Sequence, residues 1–156
     1  MKNHQIEIFK LYKNRISVTS KMWGVWFSQV SRLLLEDKKL KRLAQKILKT
    51  ELKITVVLVD LKEGRRLNSQ YRKKAVPTDI LSFSSAIDGH LGELVFCVPI
   101  VKKKAKEHKI SLQDEFLYLF IHGMLHLLQY DHETDDKAAQ EMYRIQDSVY
   151  DKLINL

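Results

Sequence analysis

The sequence predicts an α+β domain with α/β character: a small mixed sheet of about four strands, flanked by helices around one buried central helix that carries two histidines. Three observations predict it. Short runs rich in β-branched residues alternate with longer stretches of helical periodicity, the pattern of helices layered on a sheet. One of those stretches, Glu115 to Leu128, is apolar nearly all round, which puts it at the centre of the domain. Finally, 156 residues with 45% hydrophobic content suffice for one core and not comfortably for two, so residues 1–156 read as a single domain.

The elements follow in order. Ile6 to Leu11 alternates as a first strand. A helix runs from Trp23 to Leu35, with Trp23, Trp26 and Phe27 as core residues. A second helix gathers Leu40, Leu43, Ala44, Ile47 and Leu48 on one face and lysines elsewhere. Ile54 to Val59 (Ile-Thr-Val-Val-Leu-Val) is a buried strand. Asp60 can cap a short helix toward Tyr71. After a turn over Ala75 to Thr78, Ile80 to Ser84 and Leu91 to Val98 are strands joined as a hairpin by the Asp88-Gly89 turn. Pro99 opens a helix where no amide donor is needed, and Lys102, Lys103, Lys104 and Lys106 read as its solvated face. Ser111 and Asp114 have capping-box spacing ahead of the apolar helix, although Asp is a weaker partner than Glu there. A last helix from about Asp135 turns Ala138, Met142, Ile145, Val149 and Leu153 to one side. No repeat, low-complexity tract or linker interrupts the series.

Charge narrows the partners. Lys and Arg total 27 against 19 Asp and Glu, a formal +8 with a pI near 9.5. Such a field concentrates polyanions and speeds their encounter, favouring nucleic acid or an anionic surface. Cys97 is the only cysteine, so an intramolecular disulfide is excluded and a reduced, cytoplasmic setting fits. Its apolar neighbours mark a buried, inert thiol. No secretory signal opens the chain, and the longest apolar stretch, Met22 to Leu35, is too short and too polar to span a bilayer, so no membrane partner is expected.

The chemistry lies near the end of the apolar helix. His122 and His126, four positions apart, stack on one helix face, and two imidazoles so placed can share a metal ion. His132 follows six residues later, just past the helix end, where a chain reversal brings it back as a third ligand. Burying polar rings in an apolar helix demands compensation, and a metal supplies it. Three imidazoles leave one position of a tetrahedral zinc open for water, the arrangement of a catalytic site, and zinc lowers that water's pKa toward roughly 7. The same histidine spacing also occurs in zinc peptidases, but these carry Glu directly after the first His, where this chain has Gly123. Imidazole ligands also suit nickel, copper and iron. His4, His90 and His108 are scattered and need no role.

The run His122-Gly123-Met124-Leu125-His126-Leu127-Leu128-Gln129-Tyr130-Asp131-His132 resembles the signature of the YbeY family of bacterial endoribonucleases, or rRNA maturation factors. Two further stretches resemble the family in the same order. One comprises Leu67-Asn68, Tyr71-Arg72 and Pro77-Thr78-Asp79-Ile80-Leu81-Ser82-Phe83, the other Leu91-Gly92-Glu93-Leu94-Val95. The resemblance covers the chain from about Ile54 onward. It implies a single-domain metalloprotein with one Zn2+ on His122, His126 and His132. It also implies action on single-stranded RNA, in ribosomal RNA maturation (small-subunit 3′ end) and ribosome quality control. Arg72 corresponds to an arginine of the active-site cleft. A guanidinium there can hold two phosphate oxygens and offset charge developing in the transition state.

Two departures stand out. Gln129 occupies a position where the family has Gly, and Glu93 one where Asp is commoner. Gly tolerates left-handed dihedrals that cost Gln roughly 1 kcal/mol or more, so the turn toward His132 is either strained or altered. Two rival readings remain. One is a metallopeptidase with its general base elsewhere. The other is a non-catalytic ribosome-binding module with a structural zinc, for which Asp131, Glu133 or Asp135 is the candidate fourth ligand. Asp131 is otherwise expected to hydrogen-bond a ligand imidazole, with action as a base the lesser alternative.

Overall fold

The computed structural model describes residues 5–47, 52–87, 89–133 and 135–156. Four strands, β1 (Gln5–Lys10), β2 (Lys53–Val59), β3 (Ile80–Ser84) and β4 (His90–Cys97), form one sheet in the order β1-β2-β4-β3. β1 runs parallel to β2 and β2 to β4, while β3 pairs antiparallel with β4, so the expected hairpin and mixed sheet are present. Asp88 of the hairpin turn, Leu48 of the second helix and His4 lie outside the described residues.

Two-residue periodicity divides the apolar side chains of the sheet between its faces. Ile54, Val56, Leu58, Leu94 and Phe96 enter the main core, whereas Val59, Leu81, Val95 and Cys97 form a second cluster on the other face. Each face therefore needs its own cover. On the second face it is α3 (Leu61–Arg72), whose Leu67 packs on that cluster. On the first, α1 (Ser20–Leu34), α2 (Lys38–Ile47), α5 (Leu112–Leu127) and α6 (Asp136–Ile154) contribute to a shared core. α4 (Val98–His108) joins β4 to α5. Cys97 is buried, and desolvation raises its thiol pKa, in keeping with an inert role.

The caps explain where the helices stop and start. Asp60 accepts from the Glu63 amide at 2.9 Å, as expected. α1 begins three residues earlier than Trp23, because Thr19 accepts from the Met22 amide and caps the helix. β4 ends at Cys97 and Val98 already belongs to α4, with Pro99 in its first turn. At α5, Ser111 Oγ accepts from the Asp114 amide at 3.0 Å and donates to the Asp114 carboxylate at 2.7 Å. In the described contacts the Asp thus bonds the capping hydroxyl, whereas a capping-box Glu reaches the backbone. Gly92 sits at φ 149 beside an irregularity between Lys53 and Ile54, and a Cβ there would collide with the Phe83 carbonyl. Only glycine lets β3 and β4 close at that point.

Candidate metal centre

α5 is the centre of the domain, with Phe116, Phe120, Ile121, Met124 and Leu125 all essentially without exposure. It lies close on the sheet at Gly123, where a Cβ would stand 2.6 Å from Leu94 and 2.8 Å from Ile80. A side chain at that position would displace the Leu94 and Ile80 methyl groups that pack there. The adjoining side of the last two turns presents His122 and His126, whose Nε2 atoms are 3.1 Å apart.

The helix ends in a specific reversal. Gln129 N donates to His126 O at 2.8 Å and Tyr130 N to Leu125 O at 2.9 Å, the two bonds of a Schellman motif. That motif needs a left-handed residue after the cap, and Gln129 adopts φ 66. Of the two alternatives open from the sequence, the turn is therefore the strained one. The reversal carries His132 to ring-centroid distances of 5.2 Å from His122 and 5.0 Å from His126. Ligand atoms of the three histidines all lie within 4.8 Å of one another, and they are the one such group of His, Cys, Asp or Glu among the described residues.

Outer contacts fix the inner geometry. Gln146 on α6, 1% exposed, bonds His122 Nδ1 through its Oε1 at 3.0 Å. Its Nε2 donates to the Tyr118 carbonyl at 3.3 Å. Because that carbonyl can only accept, the amide is oriented with Oε1 toward the imidazole, so Nδ1 carries the hydrogen and Nε2 the lone pair, which faces His126 Nε2. Tyr143 stacks along both His122 and His132, at 6.2 Å and 5.9 Å.

Burial then sets the charge state. Desolvation is the first cause that lowers His126, down to about 4, with the neighbouring His122 and His132 adding to it. Desolvation also lowers His122, partly opposed by the bond to Gln146. Neutral imidazole is the ligating form. A tetrahedral ion with bonds of about 2.05 Å to nitrogen has an edge of roughly 3.3 Å, close to the observed 3.1 Å between Nε2 atoms. Donor type, orientation and spacing all fit a small divalent cation.

The imidazoles open onto a cleft of about 680 Å3. Arg72, on the last turn of α3, lines it and donates to Glu133 Oε1 at 2.8 Å. Lys104 departs from its expected place on a solvated face. It turns into the cleft with Nζ 2.5 Å from Asp79 Oδ2, while Asp79 Oδ1 accepts from the Ile80 amide and the Thr78 hydroxyl. Lys103 keeps the solvated role, paired at long range with Glu107, and Lys102 donates to the Tyr12 hydroxyl.

Asp131 also departs from expectation. Its Oδ1 accepts from the Glu133 amide at 2.8 Å, and the imidazole partner is Gln146. Glu133 is taken by Arg72, and Asp135 caps α6 by accepting from the Ala138 amide at 2.7 Å. All three acids considered as a fourth ligand thus have other partners. His90 meets Thr55 at 3.1 Å and His108 meets the buried Glu115 at 2.7 Å, so both have structural partners away from the cleft.

Sequence reading missed Gln146, the Asp79–Lys104 pair and Tyr118. Gln146 left a signal: it stands four positions after Met142, on the face that Met142, Ile145 and Val149 bury. A buried amide there demanded a polar partner.

Comparison with known proteins agrees with this picture. A family model described as Endoribonuclease YbeY matches residues 9–154. An Endoribonuclease YbeY of Bdellovibrio bacteriovorus is 44% identical over 113 residues, 70% of this chain and 75% of that protein. One from Acinetobacter baumannii is 40% identical over 139 residues, covering 80% and 88%. One from Sulfurihydrogenibium is 36% identical over 149 residues, covering 92% and 95%. A solution structure from Thermotoga maritima matches with a TM-score of 0.55 at 30% identity, over 93% of this chain and 86% of that one.

Proposed function

The chain belongs to the YbeY endoribonuclease family, and on that premise we propose that it cleaves single-stranded RNA with one zinc ion held by His122, His126 and His132. Its enzymatic class is that of an endoribonuclease, which acts on phosphodiester bonds of RNA. The proposed substrate is ribosomal RNA, free or in ribosomal particles, during maturation of the small-subunit 3′ end and ribosome quality control. Cytoplasmic residence is part of the proposal. No helix among the described residues is long and apolar enough to cross a membrane.

The observation that best supports the reading is the meeting of three convergent imidazoles and a guanidinium in one cleft. A divalent cation bound there supplies Lewis acidity toward a phosphoryl oxygen and toward water. The chain's own groups do the rest. Gln146 holds His122 in the ligating tautomer. Arg72 is a fixed positive charge on the cleft wall, and Glu133 keeps it oriented until a phosphate displaces that carboxylate. The net charge of +8 gathers RNA without regard to sequence. A peptidase base directly after the first histidine is missing, because glycine at position 123 has no carboxylate. A structural zinc with a fourth carboxylate ligand would draw on Asp131, Glu133 or Asp135, each of which has one oxygen engaged elsewhere.

Cleavage of an end-labelled single-stranded RNA, beside the same RNA in a duplex, tests the proposal. The purified protein should cut the single strand, and both His126→Ala and a chelator should abolish cutting. Undiminished cleavage by the His126→Ala protein would refute metal-dependent chemistry at this site.

A further inference from the structure

We propose that Tyr71, supported by Phe83, is a stacking platform for one nucleobase of the RNA strand, beside the phosphate held at Arg72. This rests on the endoribonuclease reading and adds a base-binding subsite to it. An aromatic ring in a cleft is ordinarily used for packing, and most rings here are. Tyr118 donates to Asp147 at 3.0 Å and packs edge-on against Tyr150 at 5.3 Å. Tyr143 is stacked along two imidazoles. Tyr71 differs. It lines the cleft yet remains 56% exposed, and its hydroxyl makes no hydrogen bond among the described residues.

The ring is nevertheless supported from one side. Phe83 meets it at 4.9 Å and 67°, leaving free ring surface, and Phe83 itself packs on the cluster of Val59, Leu81, Val95 and Cys97. The last turn of α3 is anchored by Asn68, whose Nδ2 donates to the Val76 carbonyl at 2.6 Å. A preorganised, exposed aromatic face costs little further entropy when a base stacks on it. The next residue is Arg72, which lines the same cleft. A single strand offers a flat base and an anionic phosphate on each nucleotide, and this pair of side chains offers the matching surfaces. Duplex RNA keeps its bases stacked inside, so the platform also gives a physical reason for single-strand preference.

The test uses the full chain and two measurements: binding of a 2′-O-methyl single strand by anisotropy, and kcat and KM on the RNA of the same sequence. Tyr71→Ala should weaken binding about tenfold, within the roughly 5- to 150-fold span of base–aromatic stacking, and raise KM more than it lowers kcat. Tyr71→Phe and Tyr71→Trp should bind like the wild type, because they keep a ring and drop or replace the hydroxyl. An abasic nucleotide walked along the strand should weaken wild-type binding at one position, and at that position add nothing to Tyr71→Ala. Wild-type cleavage with unaltered binding and KM for Tyr71→Ala would overturn the platform alone. A wild-type protein that neither binds nor cuts single-stranded RNA would overturn the endoribonuclease reading, and the platform with it.

Discussion

Replacing Gln146 with Leu should weaken metal binding by roughly 10- to 100-fold, or about 1.4 to 2.7 kcal/mol. The magnitude follows from the contacts. Gln146 is 1% exposed and is the acceptor for His122 Nδ1 at 3.0 Å. Leucine matches the side chain in size and keeps the apolar packing of α6, so the variant is expected to fold. It leaves the Nδ1 hydrogen buried without an acceptor, a defect of about 1 to 3 kcal/mol. The imidazole escapes that cost by rotating or by moving its hydrogen to Nε2, and either response removes the lone pair from the site. Gln146→Glu separates orientation from size. It keeps the acceptor and adds a charge that makes the imidazole a stronger donor to metal, so affinity should equal or exceed that of the wild type. Zinc affinity is read by competition with a chromophoric chelator at pH 7.5, with unfolding of the metal-free proteins as the control for folding. The expected order is Glu at or above Gln, and Gln above Leu. A folded Gln146→Leu protein with wild-type zinc affinity would refute the orienting role.

Two further predictions concern stability. Gln129→Gly relieves a left-handed residue worth about 1 to 2 kcal/mol but loosens the unfolded chain by about 0.5 to 1, so it should stabilise by up to about 1.5 kcal/mol and raise Tm by up to about 6 °C; a lower Tm counts against the strained turn. Burial holds His126 at about 4 and lowers His122, so from the usual imidazole range downward the unfolded chain takes up protons that the folded, metal-free protein refuses. Stability contributed by these groups is complete above pH about 6.5 and is lost as pH falls toward 4, by at most about 1.4 kcal/mol per pH unit for each group and less in a partly solvated site. Urea unfolding of chelator-treated protein at pH 7.5, 6 and 5 should show the slope, and His126→Gln should flatten it; identical slopes for the two proteins would defeat the assignment.

Much of the fold was legible because its determinants are local. The β-branched run Ile54–Val59, the cap at Asp60 and Pro99 in the first turn of α4 each act within a few residues, and the elements form where they point. The misjudged boundaries are local too, but turned on weaker signals. Thr19 caps α1 across three residues of undistinguished sequence, and Val98 can serve equally as a strand or a helix residue. Which face of β4 meets which helix was not legible, since the strand is apolar on both faces and only the tertiary layers divide Phe96 from Val95.

The same distinction runs through the cleft. His122, His126 and His132 could be read together because one helix and one turn bring them together, and a non-glycine residue at position 129 already signalled the strain of that turn. Gln146 with His122, Asp79 with Lys104, and Tyr71 with Phe83 each meet across two different segments of the chain. No spacing rule connects α3 to β3, or α5 to α6. Lys104 shows the error this produces: read from its own helix, a lysine among lysines is a solvated charge, yet Asp79, twenty-five residues away in sequence, draws it into the cleft. Gln146 shows how such errors can be reduced. A polar residue on an otherwise apolar helix face must find a partner when that face is buried, and the histidines on the central helix were the unsatisfied polar groups most in need of one. Pairing buried polar residues across elements by their unmet hydrogen bonds joins α6 to the metal centre from sequence alone. It does not find Tyr71, whose role rests on exposure, and exposure is a property of the folded surface.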